Sequence, residues 1–183
     1  MRTVAQTITH LEMTAREQLV PAARPATSLE LEPMGAESLE LIRSTCLRIG
    51  EPHHWSTRPA WSTERWHEHL SRPAVLDWIA RADGEVAGMV ELELQARAAV
   101  EITILGLVPE LVGRGLGGHL LTLATRLAWD ARAEGGPPTR RVWLHTSSLD
   151  HPHALPNYER RGFRVFRRVS RPRPVPGSSR HGR

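Results

Sequence analysis

Apolar residues recur along this chain in two rhythms, and each change of rhythm marks an element. SLELEPM (Ser28–Met34) alternates apolar with acidic residues, the period of a half-buried strand. Over Ala36–Ile49, Leu39, Ile42, Cys46 and Ile49 share one helical stripe, which Gly50 ends. A Trp- and His-rich connection follows, with a short helix predicted near Thr63–Leu70. AVLDWIAR and EVAGMVELELQ flank ADGE, where Asp83-Gly84 suits a primed hairpin turn. AVEITILGLV (Ala99–Val108) is the next strand, and Leu120, Leu121, Leu123, Ala124, Leu127 and Ala128 pattern a helix reaching about Asp130. EGGPPT breaks that helix; RRVWLHT (Arg140–Thr146) reads as a strand, HALPNYERRG as a short helix and FRVFRRV as a closing strand. The ends are less regular. TITHLEM has some β character, but ARPATS reads as linker, so residues 1–27 are expected to form an appendage. From Ser170, SRPRPVPGSSRHGR is poor in apolar residues, so 170–183 are expected to be a disordered basic tail. The pattern between, residues 28–169, is a single mixed α/β (α+β) domain without internal repeats.

Composition narrows the function. A chain of 183 residues can bury one sizeable core. Cys46 is the only cysteine, which excludes an intramolecular disulfide, and its place on an apolar stripe predicts a buried thiol rather than a nucleophile. No run approaches the ~18 apolar residues of a membrane helix, and the N-terminus lacks a signal peptide's apolar core, so a cytoplasmic location without membrane contact is expected. All 24 basic residues are arginine. Residues 1–159 hold 15 of them against 20 acids, net −5, which argues against a nucleic-acid partner for the folded body. His53, His54, His67 and His69 lack the cysteine or H-x-x-x-H partners of a metal site, so no metal is expected.

LVPELVGRGLGGHLL (Leu107–Leu121) sets four glycines in six residues directly before a helix. Unpaired amides and the helix dipole make such a turn an anion site. A phosphate loop of the nucleotide-hydrolase kind needs a lysine that this chain lacks, and glycines at 113, 115, 117 and 118 do not fit G-x-G-x-x-G. The loop VGRGLG instead resembles the R/Q-x-x-G-x-G/A pyrophosphate loop of the GNAT superfamily of N-acetyltransferases, with Val112 at the leading Arg or Gln position. LDHPHALPNYERRGF (Leu149–Phe163) is similar to that family's N-x-x-A-x-x-x-Y-x-x-x-G-F signature, with Ala154, Tyr158, Gly162 and Phe163 in register and His151 at the Asn position.

The resemblance implies a mixed, mostly antiparallel central sheet flanked by helices, and acetyl-coenzyme A as cosubstrate. It implies cofactor contacts from Leu107, Val108, Val112, Gly113, Arg114, Gly115, Leu116, Gly117, Gly118 and His151. It also implies Tyr158 as the acid that protonates the departing thiolate, and Glu101 as the base, acting directly or through water. With Cys46 in a distant helix, direct attack of a primary amine is expected, without an acyl-enzyme. Glu91 and Glu93 share a strand face that is either part of an acid-edged cleft or solvated. Trp55, Trp61 and Trp66 are either core or the wall of a cleft for a cationic or partly apolar amine. Two alternatives stay open: an acyl-coenzyme A sensor of the same fold without turnover, and a homodimer rather than a monomer.

Overall fold

The computed structural model describes residues 2–175. They form one seven-stranded sheet in the order β2-β3-β4-β5-β6-β1-β7. The strands are β1 (Arg2–Met13), β2 (Leu29–Met34), β3 (Val75–Ala82), β4 (Glu85–Gln95), β5 (Ala99–Leu107), β6 (Arg141–Ser147) and β7 (Arg164–Val175). The helices are α1 (Leu39–Gly50), α2 (Thr63–Leu70), α3 (Gly117–Asp130) and α4 (Ala154–Arg160). Every pairing is antiparallel except β5 with β6, so the mixed, mostly antiparallel sheet expected from the sequence is the architecture found.

Local chemistry explains the elements that position the site. Asp83 and Gly84 both take positive φ, the primed turn that joins β3 to β4. The Ser62 hydroxyl accepts from the Arg65 amide at 3.3 Å and starts α2. Alternation along β4, with a bulge that turns β5 over between Ile102 and Ile104, divides the core into two layers. Val90, Leu92, Val100 and Ile102 pack with Leu120, Leu121, Ala124 and Ala128 of α3, together with Val142 and Leu144 of β6. Ile79, Met89 and Ile104 face the other way, onto Ile42, Cys46 and Ile49 of α1 and Trp66 and Leu70 of α2. Cys46 is buried there, and that burial pushes its thiol up to about 12.

The chain ends depart from the sequence reading. Residues 1–27 are not an appendage: β1 inserts between β6 and β7, with Leu11 and Met13 fully buried. Ser170–Val175 are not tail: they extend β7, where Arg2–Thr7 pair with them. The physical reason is that a half-apolar strand buries its face only beside partners, and these partners lie more than a hundred residues away. The prolines mislead as well. Pro172 and Pro174 alternate with Arg171 and Arg173 on an edge strand, where alternate N–H groups point outward and their loss costs no ladder bond. Residues 176–183, the remainder of the expected tail, lie outside the described residues.

Candidate active site

Strands β5 and β6 stay paired only over Ala99–Glu101 and Arg141–Trp143, then diverge. Two cavities open where they part, and His53, Trp55 and Asp150 line both. Asp150 is held at this junction: its carboxylate accepts from Trp55 Nε1 at 3.2 Å, Thr146 Oγ1 at 2.8 Å and the Ser147 amide at 2.7 Å.

The first cavity, about 470 Å³, is walled by the glycine turn. Gly113 and Gly115 take φ of +82° and +76°, which only glycine adopts without strain, and a Cβ built on either meets nothing within 4 Å. Both positions therefore have open space where a side chain would stand. Among the described residues, the amides of Gly113, Arg114, Gly115 and Leu116 reach no backbone acceptor, and α3 starts at Gly117. Free amides and a helix N-terminus on one wall suit an anion. Arg160 and Arg161 of the α4 end line the same cavity, and Arg161 Nε is buried there without a partner. The residues fit the diphosphate of an acyl-coenzyme A.

Of the residues named from the sequence, Leu107, Val112, Gly113, Gly115, Gly117, Gly118, His151 and Tyr158 line this cavity. Val108, Arg114 and Leu116 do not. Val108 is buried and its amide donates to Ala87 O at 2.9 Å; Leu116 is core; the Arg114 side chain is exposed. Residues that local reasoning missed include Asn157, Arg161, and Ala22 and Ala23 of the β1–β2 connection. That connection is tied down by Val20 N to Arg161 O at 3.0 Å and Ala22 N to Thr122 Oγ1 at 3.0 Å. The match to the Y-x-x-x-G-F signature could have drawn notice to Asn157 and Arg161; nothing local marks the alanines. Tyr158, half-buried beside Phe163 with ring centroids 6.4 Å apart, has its hydroxyl pushed above the usual phenol range by burial and then by Asp150. It stays protonated at neutral pH.

The second cavity, about 460 Å³, lies on the β1 and β7 side of the opening. Thr103, His145 and Ser147 line it from β5 and β6, Arg58 and Trp55 from the α1–α2 connection, and Gln6, Arg171 and Arg173 from β1 and β7. Glu101 lines neither cavity. It is 8% exposed, accepts from Gln95 Nε2 at 2.8 Å and lies 3.3 Å from His145 Nδ1. The imidazole, not the carboxylate, is presented to the cavity.

Glu91 is not solvated. It is fully buried and bound by Arg58 at 2.5 Å, His69 Nε2 at 3.1 Å and Thr103 Oγ1 at 2.6 Å. Burial alone would raise it, but the bond with His69 and the charge of Arg58 hold it below the usual carboxylate range. Its neighbour Asp77 is pushed up to about 8 by burial and then by Glu91. Glu93 pairs with Arg72 at 2.5 Å, so neither acid edges the cavity. The tryptophans divide: Trp66 is core, Trp61 packs edge-on against it while carrying Arg58 at 4.4 Å, and Trp55 lines both cavities. Among the described residues no group of three or more His, Cys, Asp or Glu could hold a metal ion, and no helix is long and apolar enough to cross a membrane.

No curated protein matches the sequence. Solved structures match the fold. A GCN5-related N-acetyltransferase from Sphaerobacter thermophilus superposes with a TM-score of 0.67 at 17% identity, over 92% of this chain and 51% of that one. One from Kribbella flavida gives 0.60 at 18%, over 89% and 56%. A conserved protein of unknown function from Staphylococcus epidermidis gives 0.57 at 14%, over 91% and 60%. The chain thus spans little more than half the length of these structures. Residues 37–163, from just before α1 to the residue before β7, match the sequence model of the acetyltransferase (GNAT) family; the chain belongs to that family.

Proposed function

We propose that the protein transfers the acetyl group of acetyl-coenzyme A to a primary amine by direct attack. One observation carries this reading: a cavity walled by a glycine turn with free amides and a second, polar cavity meet at His53, Trp55 and Asp150. The first cavity would hold the coenzyme through the amides of Gly113–Leu116 and the Arg161 guanidinium. The second would hold the amine.

The residues divide the proton work. An alkyl amine has a pKa near about 10.4 and must lose a proton before it can attack. His145 faces the acceptor cavity with Nδ1 backed by Glu101, so its Nε2 is the group to take that proton, and Glu101 is a positioning residue. The amine nitrogen forms its bond to the acetyl carbon as the carbon–sulfur bond breaks. The nitrogen sheds its second proton to solvent as the amide forms, while Tyr158 gives the departing thiolate its proton and recovers one from solvent. The buried Cys46 offers no route to an acyl-enzyme.

Thiol release from acetyl-coenzyme A, measured across a panel of primary amines, tests the reading. Amine-dependent release is the expected result. Tight coenzyme binding without release for any amine would replace it with a sensor of the same fold.

A further inference from the structure

We propose that the acceptor amine also carries an anionic group, a carboxylate, and that Arg171 and Arg173 hold it. The inference rests on reading the second cavity as the acceptor site. Arg58, Arg171 and Arg173 all line that cavity, against a single acid, Asp150. Asp150 is already engaged by Trp55, Thr146 and Ser147. Arg58 is neutralised by the buried Glu91 behind it. Arg171 and Arg173 have no such partner among the described residues, and residues 176–183 contain no Asp or Glu to supply one.

Their guanidinium groups are placed by neutral acceptors instead. Arg173 Nη2 donates to the His54 carbonyl and, at 3.1 Å, to Ser56 Oγ; Arg171 Nε reaches Gln6 Oε1 at 3.5 Å. In register, Arg171 pairs with Gln6 and Arg173 with Val4, so both stand on one face of β7, about 7 Å apart along the strand. Two positioned forks without counter-charge suit a carboxylate, whose two oxygens match the guanidinium edge. They repel a second cation. The burial that lowers the His53 imidazole leaves that ring neutral, so it does not compete for the anion. His145 lies on β6, two strands away across β1, and it pairs with His10 whereas Arg171 pairs with Gln6, so the two are about 10 Å apart laterally and about 13 Å apart along the strands. An amine at His145 and a carboxylate at β7 are therefore the two ends of one molecule, as in an amino acid with an extended side chain or a short peptide.

The test compares acceptors that differ only in the carboxylate: 6-aminohexanoate against hexylamine, and a dipeptide against its C-terminal amide. Spermidine and phosphoethanolamine serve as a polycation and a phosphate control. The carboxylate members should be favoured in kcat/KM by about tenfold to a hundredfold, mostly through KM, as expected for hydrogen bonds to a charged group. Arg171→Gln with Arg173→Gln should abolish that preference and leave acetyl-coenzyme A affinity unchanged. Arg171 is exposed, so Arg171→Gln alone serves if the double variant does not fold. Equal or better turnover of hexylamine or spermidine, a preference for phosphoethanolamine alone, or a carboxylate preference that survives both substitutions would overturn the proposal. Calorimetric titration with 6-acetamidohexanoate against N-hexylacetamide separates the two readings. If no amine is acetylated, the transferase reading fails, yet carboxylate-dependent binding lost in the variants still supports the anion site, and equal affinities overturn it.

Discussion

Tyr158 lines the glycine-turn cavity with its hydroxyl kept protonated by burial and by Asp150, while its ring rests on Phe163. Tyr158→Phe keeps the ring and removes the proton. With a competent acceptor, turnover should fall by about 10²–10⁴ with coenzyme affinity little changed, and a loss under about fivefold would make the tyrosine structural. His145→Gln should cost a comparable factor in kcat. Glu101→Gln should cost less, about tenfold, because the imidazole remains but loses the carboxylate that orients it. A Glu101 variant slower than the His145 variant would reverse the two roles. At Gly115, which lines the cavity, valine would set its branches into space that is now open. Acetyl-coenzyme A binding should be lost in Gly115→Val while the fold survives with modest backbone strain, as read by calorimetry and circular dichroism.

Among the elements, β1 matters most. It joins β6 to β7, and its Thr9, Leu11 and Met13 share a buried face. Deleting residues 1–13 should leave β7 unpaired and abolish cooperative thermal unfolding; retention of the midpoint would show the strand to be dispensable. The β1–β2 connection is fixed just as closely to the turn before β7. Gly162 has φ of +100°, and a Cβ there would stand 1.9 Å from the Gln18 carbonyl oxygen. Gly162→Ala should therefore destabilise by at least about 2 kcal/mol in chemical denaturation, because both the dihedral and the contact oppose it.

For the whole molecule, the buried Asp77–Glu91 pair makes stability depend on pH. Asp77 is raised from an ordinary value near 3.8 to about 8 in the folded state. A raised carboxyl binds its proton more tightly when folded, so its contribution is complete below about pH 4 and is lost as pH rises toward 8. Glu91 acts oppositely: held low, it favours folding above its unfolded value near 4.5 and gives that up only in acid. Between pH 5 and 8 the Asp77 effect dominates, and denaturation midpoints should fall as pH rises. Asp77→Asn should flatten that dependence. An unchanged slope would mean that Asp77 is already ionised across the range.

The residues by themselves determined the elements and half of the site. Period-2 and helical patterns, the Asp-Gly turn, and a glycine cluster before a helix are local features, because backbone dihedrals and amide exposure depend on near neighbours. The glycine turn was legible for that reason, and Tyr158 through its register with the family signature. Tertiary structure alone decided the acceptor side. That Glu101 stands behind His145 and that Arg171 and Arg173 of an apparent tail line a cavity follow from strand pairing, and that Glu91 is buried against Arg58 follows from how the α1–α2 connection packs on the sheet. Such contacts join residues far apart along the chain, 95 positions for the Trp55–Asp150 hydrogen bond and 165 for Arg171 with Gln6. A strand whose partners are so remote leaves no periodic trace of which face it will bury or what charge it will meet there.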